Sequence, residues 1–194
     1  MKKRRSTGIG GLDFLMDGGF PSGESIVVYG TPLTGVDLMA RQFWQPPDIQ
    51  EAGSYLMLEG EPIEGMIDAR KIPLEELSRH MKGQRIVIDS LSRFIVKEGI
   101  ERVLEFVKND VRSILENDAN VMMVLYSNVH PPMEEYLIMR ATDIFVELRE
   151  NILGNEIERT FVIHRIKGAA APQRVTPFLI SERGLELSTT TRVV

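Results

Sequence analysis

The 194-residue sequence contains no cysteine, so it can form neither a disulfide framework nor a thiolate metal site. It also lacks any apolar run approaching the roughly 20 residues that a membrane-spanning helix needs. Its first residues are basic, but no apolar segment follows them, and the sequence therefore has no secretory signal. These absences predict a cytoplasmic protein without membrane contact.

Excess positive charge is also missing. The formal net charge is -5 and the sequence pI is about 5.3, whereas a chain that wraps nucleic acid needs a basic face. The basic run from Lys2 to Arg5 is interpreted as a solvated tail, with contact to nucleic acid or an acidic partner as the alternative. His80, His130 and His164 do not have the spacing of metal ligands. DNA is therefore not the expected partner.

What the sequence does contain is an alternation of apolar β-rich runs and segments of helical spacing. Apolar strands separated by helices predict an α/β fold whose mostly parallel sheet is covered on both faces, and the last strands, which have no helices between them, are predicted to be antiparallel. The predicted strands are 25–29, 55–58, 85–89, 121–126, 143–148, 160–166, 177–180 and 185–187; the predicted helices are 36–44, 73–81 and one that starts at Ile100 and is broken by 117–120.

In such folds the ligand site lies beyond the carboxyl ends of the strands. That rule directs attention to the segments that start at Gly30, Glu59 and Asp89, because each follows a predicted strand.

The segment 30–37 has the outline of a phosphate-binding loop. A working loop reads G-x-x-x-x-G-K-[ST], in which backbone N–H groups surround the phosphates, the lysine neutralises them and the hydroxyl holds magnesium. Gly30 and Gly35 frame the segment, but Val36 stands at the lysine position and Asp37 at the hydroxyl position. Taken alone, the two glycines could equally be ordinary turn residues.

Both replacements disfavour the binding of a triphosphate. Val36 removes a cation and Asp37 adds an anion, and each change is worth on the order of a few kcal/mol at ~4–6 Å and an effective dielectric constant near 20. The helix N-terminus offers about 1 kcal/mol in return. Tight ATP binding in the usual pose is therefore not expected.

The surrounding residues resemble a known family. Ser6–Asp13 and Gly18–Gly23 are similar to the S-T-G-I-x-x-L-D and G-G-x-P-x-G segments that lead into the first strand and P-loop of KaiC and RadA-type ATPases. Pro32, Thr34 and Gly35 match that family's usual loop, G-x-P-G-T-G-K-T. The resemblance implies a RecA-like P-loop fold with the degenerate Walker A motif Gly30, Thr34, Gly35, Val36 and Asp37.

Leu33 is a further departure from that loop, because it replaces a glycine that can adopt positive φ at little cost. With three departures, the expectation is that no cofactor is bound; Mg-ATP is the cofactor that the family implies if the site survives.

Two acidic residues also lie in segments that resemble those of the family. Tyr55–Pro62 is similar to the strand that ends in a Glu-Glu pair, which makes Glu59 the counterpart of the proposed water-activating base, whereas Gly60 replaces the second glutamate. Ile86–Ser90 resembles a Walker B segment, in which Asp89 would hold magnesium through water. The alternative for Asp89 is a helix cap at the end of a strand.

A basic pair near the C-terminus completes the resemblance. Arg165–Gly168 resembles the K-x-R-G segment that KaiC-type subunits project toward a neighbour's nucleotide, with the two basic residues, Arg165 and Lys167, swapped. The alternative is one solvated face of an exposed strand. The segments 177–180 and 184–187 match the family's closing hairpin.

Two segments are short. Pro62–Gln84 occupies the space where the family usually has an extra helix and strand, and the turn 128–132 lacks the mobile basic loops of recombinases, which favours KaiC over RadA.

The predicted organisation is a single domain, 1–194, with an N-terminal segment 1–24 and a tail 188–194.

These observations favour a non-catalytic KaiC-like protein that acts as a regulator or as an assembly partner, in a homo-oligomer or with an active relative. A KaiC-class protein that binds ATP and hydrolyses it slowly is the second hypothesis, supported by the retained acidic and basic residues. A DNA-binding RadA paralogue is the third, and the acidic composition speaks against it.

Overall fold

The computed structural model of the chain describes residues 3–46, 49 and 51–188. Lys2 of the basic run and residues 189–194 of the predicted tail lie outside the described residues. The strands are β1 (Arg4–Arg5), β2 (Phe20–Pro21), β3 (Ser25–Gly30), β4 (Gly53–Met57), β5 (Ile67–Asp68), β6 (Arg85–Asp89), β7 (Asn120–Tyr126), β8 (Ile144–Leu153), β9 (Glu156–Ile166), β10 (Thr176–Ser181) and β11 (Gly184–Leu187). The α-helices are α1 (Gly10–Leu15), α2 (Val36–Trp44), α3 (Leu74–Leu77), α4 (Leu91–Glu98), α5 (Ile100–Phe106), α6 (Arg112–Leu115) and α7 (Pro132–Ala141).

Nine of the described strands form one sheet, in the order β11-β10-β9-β8-β3-β7-β6-β4-β5. The strands from β8 to β5 in this order run parallel to one another, and β9, β10 and β11 extend the sheet with antiparallel pairing. The predicted α/β fold, with a mostly parallel sheet and antiparallel strands at its C-terminal end, is confirmed.

Helices cover both faces of this sheet. Side chains alternate across a strand, and in β3 Ile26 and Val28 belong to one buried apolar cluster whereas Val27 belongs to the other. The first cluster includes the apolar residues of α2, and the second includes those of α3 to α7. Strands buried on both faces explain why these runs are continuously apolar rather than alternating.

Several predicted bounds need correction. The strand 85–89 and the helix 36–44 match β6 and α2, but the predicted strand 143–148 begins one residue before the longer β8, and 160–166 is part of the longer β9. The predicted helix 73–81 is α3 followed by a 3-10 turn, and the helix from Ile100 consists of α5, a π-helical turn at 107–111 and α6. The sequence analysis missed α1, α4, α7 and the two-residue β1, β2 and β5.

The missed helices have specific causes. The helix α7 begins at Pro132 inside the predicted turn 128–132, since proline is compatible with the first turn of a helix, where no backbone N–H donor is needed. The short segment 62–84 contains β5 and α3. Among the described residues no helix is both long and apolar enough to cross a membrane.

Beyond Glu150 and Arg159, β8 and β9 continue as a two-stranded arm in which each strand pairs only with the other. Exposed apolar side chains at its end, Ile152, Leu153 and Ile157, explain why the arm was not predicted, because a half-buried pattern of alternation is absent there. An ion pair of 3.2 Å joins Glu150 and Arg159 across the two strands.

Asp143 joins the parallel and antiparallel parts of the sheet. Its carboxylate, whose side chain is only 2% exposed, accepts hydrogen bonds from the Ser25 N–H and hydroxyl, from both terminal nitrogens of Arg112 and from Lys167 Nζ, at 2.8–3.2 Å. Burial acts to raise the pKa of Asp143, but these donors outweigh it and lower that pKa well below its usual range. The carboxylate therefore stabilises the fold above its unfolded pKa, near 3.9, and this contribution is lost as the pH falls toward the lower folded value.

We expect Asp143→Asn to lower the free energy of unfolding by about 2–3 kcal/mol at pH 7, because the neutral amide loses charge-assisted hydrogen bonds. Urea unfolding from pH 7 to pH 3 measures this difference, which should shrink as the pH falls below about 4. Asp17→Asn, at an exposed position, is the matched control and should change stability by less than about 0.5 kcal/mol. An equal effect at pH 7 and pH 3 would contradict the assignment.

Candidate functional site

The predicted phosphate loop lies between β3 and α2, at the carboxyl edge of the sheet. It consists of a 3-10 turn, Pro32–Thr34, and Gly35, which has φ +89°. A Cβ at Gly30 would lie 2.5 Å from the Thr34 hydroxyl oxygen and 2.8 Å from the Leu148 carbonyl oxygen, so this position requires glycine. The two framing glycines are thus explained by backbone conformation and close packing.

The side chains at the two substituted positions differ in environment. Val36 is fully buried in the apolar cluster under α2, and its Cγ1 would lie 3.1 Å from a Cβ at Gly30. Asp37 is partly exposed and forms an ion pair of 3.1 Å with Arg41, one turn further along α2. The Thr34 hydroxyl donates to the Thr31 carbonyl at 2.8 Å. The loop is therefore held by its own side chains.

The C-terminal hairpin packs against the loop. A Cβ at Gly35 would lie 3.2 Å from Ile180 Cδ1 and 3.3 Å from Leu185 Cδ1. The Gln42 side chain fixes this arrangement, because its amide nitrogen donates to the Leu185 carbonyl at 3.2 Å and its amide oxygen accepts from the Leu185 N–H at 2.7 Å. Apolar side chains thus cover one side of the loop.

Asp89, at the end of β6, is 3% exposed and bonded to two tyrosines. The Tyr55 hydroxyl donates to Oδ2 at 2.5 Å and the Tyr126 hydroxyl to Oδ1 at 3.4 Å. Burial raises the pKa of the Asp89 carboxyl; the nearby Asp37 carboxylate adds to this rise, whereas the two hydroxyls and Arg41 oppose it. Burial and the Asp89 charge also raise the pKa of Tyr55, which keeps its hydroxyl protonated as a donor.

Glu59 lies close to Asp89, as the sequence predicts for residues at the ends of neighbouring parallel strands. Met57 in β4 pairs with Asp89 in β6, and the Leu58 N–H donates to the Asp89 carbonyl at 2.6 Å. Glu59 is exposed at the rim of a cavity, where partial burial raises the pKa of its carboxyl. Asp89 adds to that rise, and Ser90 and Arg93 oppose it.

The predicted inter-subunit residues lie at the opposite end of the sheet. Lys167 binds Asp143 beside Ser25, at the start of β3, which places it ~16 Å from the phosphate loop at ~3.3 Å per residue. Arg165 donates to the carbonyls of Met139 and Arg140 at 3.1 and 3.2 Å, at the C-terminal end of α7. Neither side chain is brought to the loop of its own chain.

Sequence reasoning missed three residues that contact the predicted site, Tyr55, Tyr126 and Arg41. The spacing of Asp37 and Arg41, four residues apart on a predicted helix, is a signal that could have identified their ion pair. No comparable signal marks the tyrosines, because their contact with Asp89 depends on the register of three strands.

A glycine-framed loop follows the first core strand and leads into its helix, and acidic residues lie at the ends of two neighbouring strands. This arrangement defines a RecA-like P-loop domain. The family model described as "ATPase: KaiC" matches residues 5–72 and 49–192. The chain therefore belongs to the KaiC ATPase family.

Three relatives illustrate this membership. A UPF0273 protein of Pyrococcus horikoshii is 22% identical, and the alignment covers 95% of this chain and 94% of that protein. The circadian clock oscillator protein KaiC of Parathermosynechococcus lividus is 23% identical, over 95% of this chain and 42% of that protein. The crystal structure of a KaiC-like protein of Pyrococcus horikoshii shares the fold, with a TM-score of 0.78 at 19% identity, over 97% of this chain and 100% of that chain.

The first of these alignments runs over 231 residues, more than the 194 of this chain. That relative therefore has residues without a counterpart here, in line with the short segment 62–84.

We expect Tyr55→Phe to lower the free energy of unfolding by about 1–3 kcal/mol at pH 7, because the buried Asp89 carboxylate loses its shorter hydrogen bond. The pKa of Asp89 should rise further, so the deficit should shrink as the pH falls and Asp89 becomes protonated. Tyr126→Phe, which removes the 3.4 Å contact, is the matched control and should cost less in the same urea titrations. Equal losses in the two variants would argue against a dominant role for Tyr55.

Proposed function

We propose that this KaiC-family chain is a non-catalytic regulator or assembly partner whose phosphate loop no longer binds ATP. The observation that carries the proposal is the charge of the loop: in residues 30–37 the sole charged side chain is Asp37, an anion where a triphosphate would need a cation. The lysine position is taken by Val36, whose side chain is buried in the core.

The attraction that the loop still has for an anion is too small to compensate for the missing lysine and the added Asp37 carboxylate. The N-terminus of α2 supplies about 1 kcal/mol toward an anion, whereas each charge change at the loop is worth on the order of a few kcal/mol. Arg41 is the nearest cation along α2, but it is already paired with Asp37 at 3.1 Å.

The residues around Asp89 do not fit a magnesium site either. Magnesium needs oxygen ligands in near-octahedral geometry and usually keeps several waters. The two Asp89 oxygens accept hydrogen bonds from Tyr55 and Tyr126, the Asp37 carboxylate is paired with Arg41, and the described residues contain no group of three or more side chains that could hold a metal ion. Ile180 and Leu185 further restrict access to Gly35. No catalytic step through Mg-ATP is therefore assigned to this chain.

A KaiC-class protein that binds ATP and hydrolyses it slowly is the second candidate. It is favoured by one observation: Glu59 and Asp89 converge at the carboxyl edge of the sheet, as a water-activating base and a magnesium-binding acid would have to. In that case Glu59 would keep its role as general base.

An assembly role rests on the position of the basic pair. Arg165 and Lys167 lie far from the phosphate loop of their own chain, so a contact with a nucleotide would have to be made across a subunit boundary. A partner that supplies the nucleotide would be an active KaiC-like relative, whereas in an assembly with a second copy of this chain the basic pair would contact protein instead.

We expect calorimetric titration with Mg-ATP to detect no micromolar binding by the wild-type chain, since the loop repels the phosphates. The double variant Val36→Lys, Asp37→Thr should gain affinity by at least about 10-fold, because it restores a cation and removes an anion. Asp37→Thr alone is the control and should gain less. Micromolar binding by the wild type would overturn the proposal.

The same titration should be accompanied by urea unfolding of each variant, since the lysine introduced by Val36→Lys would have to leave the core position that the valine side chain fills. A folded double variant that still fails to bind ATP would mean that the loop has changed beyond these two side chains.

We expect light scattering to report an oligomer, or a stable complex with an active KaiC-like relative. Arg165→Glu should weaken that assembly by reversing a charge at the proposed subunit boundary. Arg183→Glu, at an exposed turn of the hairpin, is the matched control and should leave assembly unchanged. A monomer at high protein concentration that co-purifies with no ATPase would contradict the assembly role.

A further inference from the structure

A second feature of the carboxyl edge is a cavity of about 520 Å³, and none of its lining residues belongs to the phosphate loop 30–37. It adjoins the ends of β4 and β7 and one face of α4. Its volume is in the range of small-molecule sites, about 300–1,000 Å³. The lining residues are Glu59, Ser92, Arg93, Val96, Lys97, Tyr126 and Val129.

We propose that this cavity binds a small organic monocarboxylic acid, with its carboxylate on Arg93 and its apolar body against Val96 and Val129. This inference does not depend on the state of the phosphate loop, and either proposal can fail without the other.

Arg93 is the reason for an acidic ligand. Its guanidinium makes one long hydrogen bond, 3.3 Å from a terminal nitrogen to the Arg70 carbonyl, and within the described part of the chain no carboxylate lies within 4.0 Å of it. An arginine has five N–H donors in a planar fork that matches a carboxylate in two parallel hydrogen bonds. Lys97 lies four residues further along the same face of α4, but its charge is already paired with Glu98.

The charge of the lining favours a monoanion. Lys97 is paired with Glu98 at 3.1 Å, and Glu59 contributes a carboxyl group at the rim. Glu98 balances Lys97, so Arg93 is the lining cation left for a ligand, and a phosphate dianion would be repelled more strongly by Glu59 than a single carboxylate would. A single carboxylate therefore suits the cavity better than a phosphate.

The apolar part of the ligand is indicated by two exposed valines that line the cavity. Val96 on α4 is 70% exposed and Val129, after β7, is 52% exposed. A short alkyl or aryl body in contact with them would remove part of their surface from water, and burial of apolar surface is favourable in proportion to its area. The polar group on one wall and the apolar pair beside it together define an amphipathic ligand.

The test is a titration of the full-length chain with the sodium salts of acetate, butyrate and hexanoate at constant ionic strength, followed by NMR shifts of backbone amides in α4. Affinity should rise by roughly 2-fold for each added methylene, or about 10-fold or more from acetate to hexanoate, because the added groups are partly buried. Hexanol, which lacks the charge, and inorganic phosphate should both bind more weakly than hexanoate.

Arg93→Gln should weaken hexanoate binding by about 10-fold or more, since a charge-assisted hydrogen bond is lost. Arg79→Gln, which removes an exposed arginine outside the cavity, is the matched control and should leave the affinity unchanged. Val96→Ser should weaken hexanoate binding but not acetate binding, and it also reports on the site if Arg93→Gln proves unstable. Equal affinity for hexanol and hexanoate, tighter binding of phosphate, or unchanged binding by a folded Arg93→Gln chain would each overturn the proposal.

Discussion

The buried carboxylate of Asp143 is the constraint on which the rest of the sheet depends. It lies where the parallel strands begin and the antiparallel strands end, and it is bonded to Ser25 at the start of β3, to Arg112 on α6 and to Lys167 after β9. Removing this anion from water is costly unless it is paired and hydrogen-bonded, and the two cations that pair with it remain about half exposed. This pairing is made at the amino edge of the sheet, away from the candidate site at the carboxyl edge.

At the carboxyl edge, the acidic side chains of the predicted site are bonded to other groups of the same chain. Asp37 and Asp89 are both acidic, and neither is balanced by a P-loop lysine. Arg41 pairs with the first, and the hydroxyls of Tyr55 and Tyr126 bond to the second. Hydrogen bonds from neutral hydroxyls stabilise a carboxylate without adding charge, so a buried acid can persist without an external cation. The acidic side chains of the site therefore have their partners within the same chain, which the sequence alone does not reveal.

How far the sequence could predict this structure depends on the range of the interactions. Segments whose signal is local were predicted well: β6 and α2 have the expected bounds, and the glycine-framed loop lies where the family resemblance placed it. The arm beyond Glu150 was not predicted, since its strands are held by pairing with each other rather than by burial of an alternating face. The tyrosine contacts of Asp89 and the cavity beside Glu59 arise from the register of β4, β6 and β7, and register is a tertiary property that a single sequence does not encode locally.

The two edges of the large sheet have a consequence for how copies of the chain can meet. Its edge strands are β5, two residues long, and β11, four residues long, and each carries an acidic side chain, Asp68 and Glu186 respectively. Short, charged edges offer few unpaired backbone groups to a neighbouring strand. Strand addition at these two edges is thereby discouraged, and a contact made there between copies of the chain would have to use side chains rather than backbone pairing.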